Sequence, residues 1–415
     1  MLHIAIDARY ISSAPLGGGF RTYLAYLLHA LHRHYINKKK RPYYHFHLWS
    51  IHPIHLTATK LPKHLMSVHL LKIPAHISPC QEKSYYLKAF QSEVLNHTPK
   101  INIVFFPHLE LPGAIKKWSH ANIKVVLTIH DLIPTHFIKA SVLFSRKMRL
   151  NALNTKGIEH YLTLKLKHRF YDKILTVSPT SKQQILNVIG QAYNHKIVVT
   201  PLAGAASFKP YTKASFEKCI KDLMKRYPSF PSTLRYKCYI LYFGSHTVRK
   251  NIALGMRACI EVLNTLPQLS HFTLVTVGSG RWMHEMTRKN LHHHISCLSN
   301  LAERDLAVLV AGARFTLQPS LIEGFDLPVL ESIRAQTLPI CSDIATHRDI
   351  LGPTYPYFDP YRISDIKRVV EQFLTIDKRE EAALLAQTKA HIRKFTWQKT
   401  ALLTHKVFQE LSSLS

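Results

Sequence analysis

The sequence predicts an α/β protein of two domains, each a parallel sheet flanked by helices. Three observations carry this. Short apolar runs alternate along the chain with segments whose apolar residues recur at helical spacing. Several runs stop at a turn or at polar residues, as parallel strands do when they feed helices. The alternation pauses at PLAGAASFKP (201–210), where Pro, Gly and small residues gather, and then resumes. A length of 415 residues suits two domains of ordinary size.

The elements follow in order. LHIAID opens as a strand that ends at Asp7. The loop ISSAPLGGGF precedes RTYLAYLLHALHRHY, which has helical spacing. YYHFHLWS, VHLLKI, INIVFF, IKVVLTI, KILTV and KIVVT are the strand candidates of the first half. KKKR (Lys38 to Arg41) reads as a solvated helix end or loop, and Pro134 to Leu166 as a basic amphipathic helix. In TVSPTSKQQIL, Ser178 is placed to cap a helix. A polar, basic helix occupies the stretch to Tyr236. CYILYF, HFTLVTVG, HHISCLS, ARFTLQPS and LPICSD then repeat the strand pattern, and FTWQKTALLTHKVFQELSSL reads as a terminal helix.

Bulk properties narrow the class. Lys and Arg number 55 against 25 Asp and Glu, a formal charge of +30, which calls for an anionic partner or surface. The six cysteines show no C-x-x-C pairing, and Cys238, Cys259, Cys297 and Cys341 lie in apolar runs, so they read as reduced, buried thiols. The 28 histidines are scattered, and His292-His293-His294 lacks the context of a metal site. MLHIAID is a strand rather than a signal peptide, and no apolar run approaches the ~20 residues that span a bilayer. A cytoplasmic protein is expected, with peripheral contact on the inner face of the membrane as its only route to lipid.

Four stretches carry chemistry. In SLIEGFDLPVLES, a strand breaks at Pro-Ser and a helix is expected to start near Asp326 or Leu327, because Asp caps and Pro suits the first turn. Glu323 then sits in the loop and Glu331 about one turn inside, an arrangement that aims backbone N–H groups at an anion and carboxylates at sugar hydroxyls. In GSHTVRKN, Gly244 ends a strand and Arg249-Lys250 stand at the mouth of the next helix, two cations suited to a diphosphate. His130-Asp131 follow a buried strand at its C-terminal edge, where open α/β sheets bind ligands; a structural pair holding a turn is the bland alternative. Gly17-Gly18-Gly19 follow the first strand without a G-x-G-x-x-G, leaving a phosphate turn and a surface loop both open.

Together, EGFDLPVLE, the Gly…Arg-Lys-Asn run, His130-Asp131, the Gly-rich first loop and the Phe-x-Trp that ends at Trp397 resemble family 4 glycosyltransferases. The resemblance implies the GT-B fold: two Rossmann-like domains, 1–205 on the acceptor side and 206–390 for the nucleotide sugar, facing a central cleft. A C-terminal helix over 391–415 would cross back to the first domain. It implies a retaining, metal-independent hexosyltransferase without a cofactor, taking a GDP- or UDP-linked sugar to a glycan or lipid-linked acceptor. GSHTVRKN is closest to mannosyltransferases of surface polysaccharide and lipopolysaccharide assembly. The roles carried over are diphosphate binding for Gly18, Gly19, Arg249 and Lys250, ribose binding for Glu331, and sugar contact for His130, Glu323, Gly324 and Phe325. His130, Lys250 and Glu323 would be the catalytic group. No D-x-D motif is present, so no metal ligand is assigned.

The sequence departs from the family at Gln336, where Gly is usual, at Leu338-Pro339, at Asp326, often Gly, and in PLAGAASF. Sugar, acceptor, linkage and oligomeric state are not legible. Two rival readings are a sugar-nucleotide epimerase on the same fold and a non-catalytic basic protein binding nucleic acid or anionic surfaces. The second predicts aromatics interleaved with the basic runs. Only KKKR, followed by Tyr43 and Tyr44, has that pattern, so no nucleic acid is expected.

Overall fold

The structure is a computed structural model that describes residues 1–11, 18–36, 44–54, 66–74, 76–109, 118, 120–133, 161–227, 230–232, 234–278 and 295–413. The chain divides into two units, Met1–Leu202 with Thr396–Ser415, and Ala203–Phe395.

Among the described residues of the first unit, seven strands form one sheet: β1 (Leu2–Asp7), β2 (Tyr44–Ser50), β3 (Met66–Leu70), β4 (Ile103–Phe106), β5 (Lys124–Ile129), β6 (Lys173–Thr176) and β7 (Ile197–Val199). Their order is β3-β2-β1-β4-β5-β6-β7 and every pairing is parallel. Parallel neighbours need crossovers, here including α1 (Gly18–Ile36), α2 (Pro79–Leu95) and α3 (Pro179–Ile189). The strands are apolar on both faces because both are covered: Trp49, Tyr86, Phe90, Phe106 and Trp118 pack with Val125, Leu127 and Ile174 in a buried cluster. Strand order reverses between β1 and β4, so the switch-point crevice lies beyond Asp7 and Phe106. The last helix of the chain completes this unit, with Trp397 stacked on Tyr26 (5.3 Å) and Lys173 paired to Glu410 (2.7 Å).

The second unit holds β8 (Tyr239–Phe243), β9 (Thr273–Val277), β10 (Ile295–Leu298), β11 (Phe315–Gln318) and β12 (Pro339–Cys341), in the order β10-β9-β8-β11-β12, again all parallel. The helices are α4 (Lys213–Arg226), α5 (Ile252–Thr265), α6 (Glu303–Gly312), α7 (Leu327–Arg334), α8 (Ala345–Leu351), α9 (Ile363–Thr375) and α10 (Lys378–Ile392). The reversal falls between β8 and β11, so the loops after these two strands frame the crevice. Those loops carry Arg249-Lys250 and Glu323.

Several expectations change in detail. Gly18 and Gly19 are the first residues of α1, which therefore begins before Arg21, and residues 12–17 lie outside the described part. KKKR and His292–His294 also fall outside it, as does Pro134–His160 of the expected amphipathic helix; residues 161–167 are helical, with Leu162 and Leu166 exposed. Cys297, on the edge strand β10, is exposed, and Cys238 is only half-buried. Ser178 does cap α3, accepting from Ser181 N at 3.0 Å. The departures at Asp326 and Gln336 both have left-handed backbone, φ 66° and 61°. That is the conformation glycine adopts most readily, which gives a physical reason for Gly at both places in the family. Among the described residues no helix is long and apolar enough to cross a membrane.

Candidate active site

The second unit brings its two loops together through backbone first. After β8, Gly244 turns the chain with φ 134°, and a 3-10 turn over Val248–Lys250 leads to Asn251 (φ 51°) and α5. Asn tolerates this left-handed position better than most residues, and its side chain donates to Pro360 O at 2.8 Å. Leu321 N donates to Arg249 O (2.8 Å), and Arg249 Nη1 donates to Ile322 O (3.3 Å). Gly255 sets how closely α5 approaches. A Cβ there would stand 2.9 Å from Pro319 Cγ and 3.1 Å from Leu317 Cδ2. Gly278 lies close against its own chain: a Cβ there would stand 2.6 Å from Gly244 O.

A chain of charges crosses these loops. Arg249 Nη1 lies 2.6 Å from Glu323 Oε2, and Lys250 Nζ lies 2.8 Å from Glu323 Oε1. Lys250 Nζ also donates to Asp326 Oδ1 at 2.9 Å. The other Asp326 oxygen meets His347 Nε2 at 2.9 Å, and His347 Nδ1 lies 2.8 Å from Ser342 O. Thr346 Oγ1 fixes the loop by donating to Glu323 O (2.7 Å). Burial alone would push the Lys250 ammonium down and the Asp326 carboxyl up. Mutual attraction outweighs it: Asp326 and Glu323 hold Lys250 above its ordinary value, and Lys250 and His347 hold Asp326 below its own.

Two details were not legible in the sequence. Lys250, at the mouth of the helix, is only 4% exposed, so it is an integral part of the fold. Asp326 occupies the N-cap position of α7, yet its side chain makes no capping hydrogen bond, because Lys250 and His347 take both oxygens. His347 was missed by the sequence reading. Its signal was faint, a His in the first turn of a helix just past a buried strand.

Glu331 lies one turn inside α7, as predicted, under the loop 203–205. Burial pushes its carboxyl up to about 8, against a hydrogen bond from the Ala205 backbone that favours ionisation. A Cβ on Gly204 would come 3.1 Å from Glu331 Cγ and 2.8 Å from Arg334 Cδ, so the glycine lets the loop lie flat on the helix. Gly324 and Phe325 are buried between Glu323 and Asp326. The Phe325 ring packs edge-on against Phe395 at 5.5 Å, so it serves the core and does not line an open surface.

The first unit carries His130, just beyond β5. Its Nε2 lies 3.0 Å from Pro107 O, its ring meets Tyr23 edge-on at 4.6 Å, and Ser181 Oγ donates to its carbonyl (3.0 Å). Burial brings the imidazole down to about 4, so it is neutral at pH 7. Asp131 does hold a turn, accepting from Ile133 N at 3.0 Å. A second group at this sheet end was not foreseen. Asp7 receives Arg9 Nη2 (2.7 Å) and Tyr86 OH (2.9 Å), with His108 Nε2 at 3.4 Å. A Cβ at Gly19 would meet nothing within 4 Å, so sterics do not demand glycine there.

Known proteins place this architecture. Residues 237–375 match the profile of the family described as glycosyl transferases group 1. The O-antigen chain mannosyltransferase B of Escherichia coli is 27% identical over 245 residues, 57% of this chain and 60% of that protein. The serotype-specific mannosyltransferase WbdA of Escherichia coli is 26% identical over 293 residues, 69% of this chain and 34% of that protein. The chain thus spans between a third and three-fifths of the length of these relatives. Among solved structures, sucrose-phosphate synthase from Thermosynechococcus elongatus superposes with a TM-score of 0.72 at 16% identity, each chain covered to 100%. WaaG, a glycosyltransferase involved in lipopolysaccharide biosynthesis, superposes with a TM-score of 0.67 at 13% identity, covering 99% of this chain and 100% of that one.

Proposed function

We propose that this chain is a group 1 glycosyl transferase of the GT-B fold that moves mannose from GDP-mannose to a growing surface glycan, with retention of configuration and without a metal at the diphosphate. The mannose reading is supported by the relatives, both mannosyltransferases of O-antigen or serotype type. The observation that carries the reaction class is Glu323 held between Arg249 and Lys250 at the switch point of the second sheet. As the glycosidic bond breaks, the leaving diphosphate gains negative charge, and cations fixed beside it stabilise that state more than the ground state. Arg249 is the more exposed of the two and turns to the diphosphate; Lys250 acts from its buried seat between the carboxylates. Glu323 contacts the sugar, and Glu331 takes the ribose hydroxyls. The epimerase and the non-catalytic basic protein are not favoured by these matches.

The test is transfer from GDP-mannose to a lipid-linked glycan acceptor, with the product anomer read by NMR. Transfer with the donor's configuration, undiminished by excess EDTA, is the expected result. The opposite anomer, or activity restored only by manganese or magnesium, overturns the mechanism; preference for a UDP-linked sugar overturns the donor. The +30 charge and the exposed Leu162 and Leu166 beside Lys165 and Lys167 support peripheral binding to anionic membrane. Sedimentation with anionic vesicles that matches sedimentation with neutral ones sinks that part.

A further inference from the structure

The outer strands of the first unit carry a cluster that sugar transfer does not use. His3 on β1, His45 and His47 on β2, and His69 on β3 lie on one face of the sheet, as the register pairs His3 with His45 and Trp49 with His69. His97 joins them from the segment just past α2. His47 is buried, and His69 and His97 are half-buried. One ring nitrogen from each of these three can be chosen so that all lie within 4.8 Å of one another. His47 Nδ1 stands 3.3 Å from His69 Nε2. Two nitrogens bound to one tetrahedral ion at ~2.0–2.1 Å are about 3.3–3.4 Å apart, so this pair already has the spacing of a shared metal.

The surrounding contacts orient the rings as metal-bound histidines are usually oriented. His97 Nδ1 is 2.9 Å from Pro99 O, so it donates there and leaves Nε2 with its lone pair. His47 Nε2 is 3.0 Å from His3 Nδ1, so it donates behind and leaves Nδ1 for the ion. Trp49 stacks on His69 at 4.2 Å and fixes its plane. His47 and His69 are held neutral, the form that binds metal. Burial and then the neighbouring histidines, His97 and His45 foremost, bring His47 down to about 3 and His69 to about 4. All three donors are imidazole, which suits zinc and its neighbours rather than magnesium or calcium.

We propose that His47, His69 and His97 bind one divalent transition-metal ion of the zinc class, with water as fourth ligand and His3 holding His47 from behind. The ion would tie β2, β3 and the end of α2 together, a structural role separate from the transfer reaction.

The test uses the full chain, stripped with chelator and titrated with zinc by calorimetry, with magnesium as control. A chain with 28 histidines also binds zinc loosely, so the comparison is between variants. One tight equivalent is expected in the native sequence, with a raised melting temperature in zinc and no change in magnesium. His97→Gln, at a half-buried residue, should weaken that equivalent by at least ~10-fold, since even losing a group that merely orients a ligand costs ~10–100-fold. His271→Gln, exposed and in the other unit, should bind as the native chain does. Cobalt in place of zinc should give the visible absorption of a tetrahedral site, lost in His69→Gln/His97→Gln. No tight equivalent in the native chain, or undiminished affinity in folded His97→Gln, overturns the proposal.

Discussion

Lys250→Ala puts the charged chain under the sharpest test. The ammonium sits 2.8 Å from Glu323 and 2.9 Å from Asp326, sealed from solvent. Its loss leaves two buried carboxylates without their shared cation, and breaking a buried pair in this way costs about 3–5 kcal/mol. Arg249 still meets Glu323 and His347 still meets Asp326, which puts the expected loss near ~3 kcal/mol. The measurement is urea unfolding followed by hydrogen exchange in peptides from 239–341, because a chain of two units need not unfold in one step. A pH series adds a second reading. The Asp326 carboxyl is held below its ordinary value, so its contribution is present above the unfolded value of ~3.9 and is lost as pH falls below it. The gap between native and variant should therefore be full at pH 7 and shrink below about pH 4. Lys250→Met combined with Glu323→Gln and Asp326→Asn removes the buried charges while keeping shape, and should recover most of the loss. A loss under ~1 kcal/mol at pH 7, or one that does not change with pH, refutes the reasoning.

Arg249→Ala is the cleaner probe of the diphosphate: it should stay folded and lower turnover by ~10²-fold or more, and near-normal turnover would remove Arg249 from the mechanism. Glu323→Gln keeps shape without charge and should lower turnover while the bare nucleoside diphosphate binds normally in calorimetry. With its carboxyl near 8, Glu331 is largely protonated at pH 7; ribose hydroxyls donating to it favour the carboxylate, so nucleotide binding should release a proton. Calorimetry in two buffers of different ionisation enthalpy reads that release, and its persistence in Glu331→Gln would assign it elsewhere. Gly255→Ala should gain ~1 kcal/mol of helix propensity but lose about 1–3 kcal/mol to the clash with Pro319 and Leu317, a net destabilisation visible in urea.

The strands were legible because a sheet buried on both faces leaves near-continuous apolar runs. YILYF, TLVTV and FTLQ are each fully or almost fully buried in the structure. Local turn chemistry was legible where one residue decides it, as at Ser178 and at the start of α7 beside Pro328. What stayed hidden depends on residues far apart in sequence. Four histidines look scattered until the register of β1, β2 and β3 lines them on one face, where His97 joins them from the segment past α2. Asp326 looked like a cap because nothing nearby competes for its oxygens in sequence; its partners are Lys250, 76 residues away, and His347.

That last coupling changes what the two cations can do. Read from sequence, Arg249 and Lys250 are a free clamp that would attract any anion. In the structure both are already paired with Glu323, and Lys250 with Asp326 as well. On the proposed function, the incoming diphosphate must compete with Glu323 for Arg249, so the measured affinity is a difference between two anions rather than the strength of one contact. An anion of lower charge lacks the means to make that exchange. Once displaced, Glu323 remains beside Lys250, anchored through its backbone by Thr346, with its charge turned to the sugar. Donor binding and placement of the catalytic carboxylate then become one event, and Arg249→Ala should uncouple them: the diphosphate binds more weakly, yet Glu323 no longer has to be released.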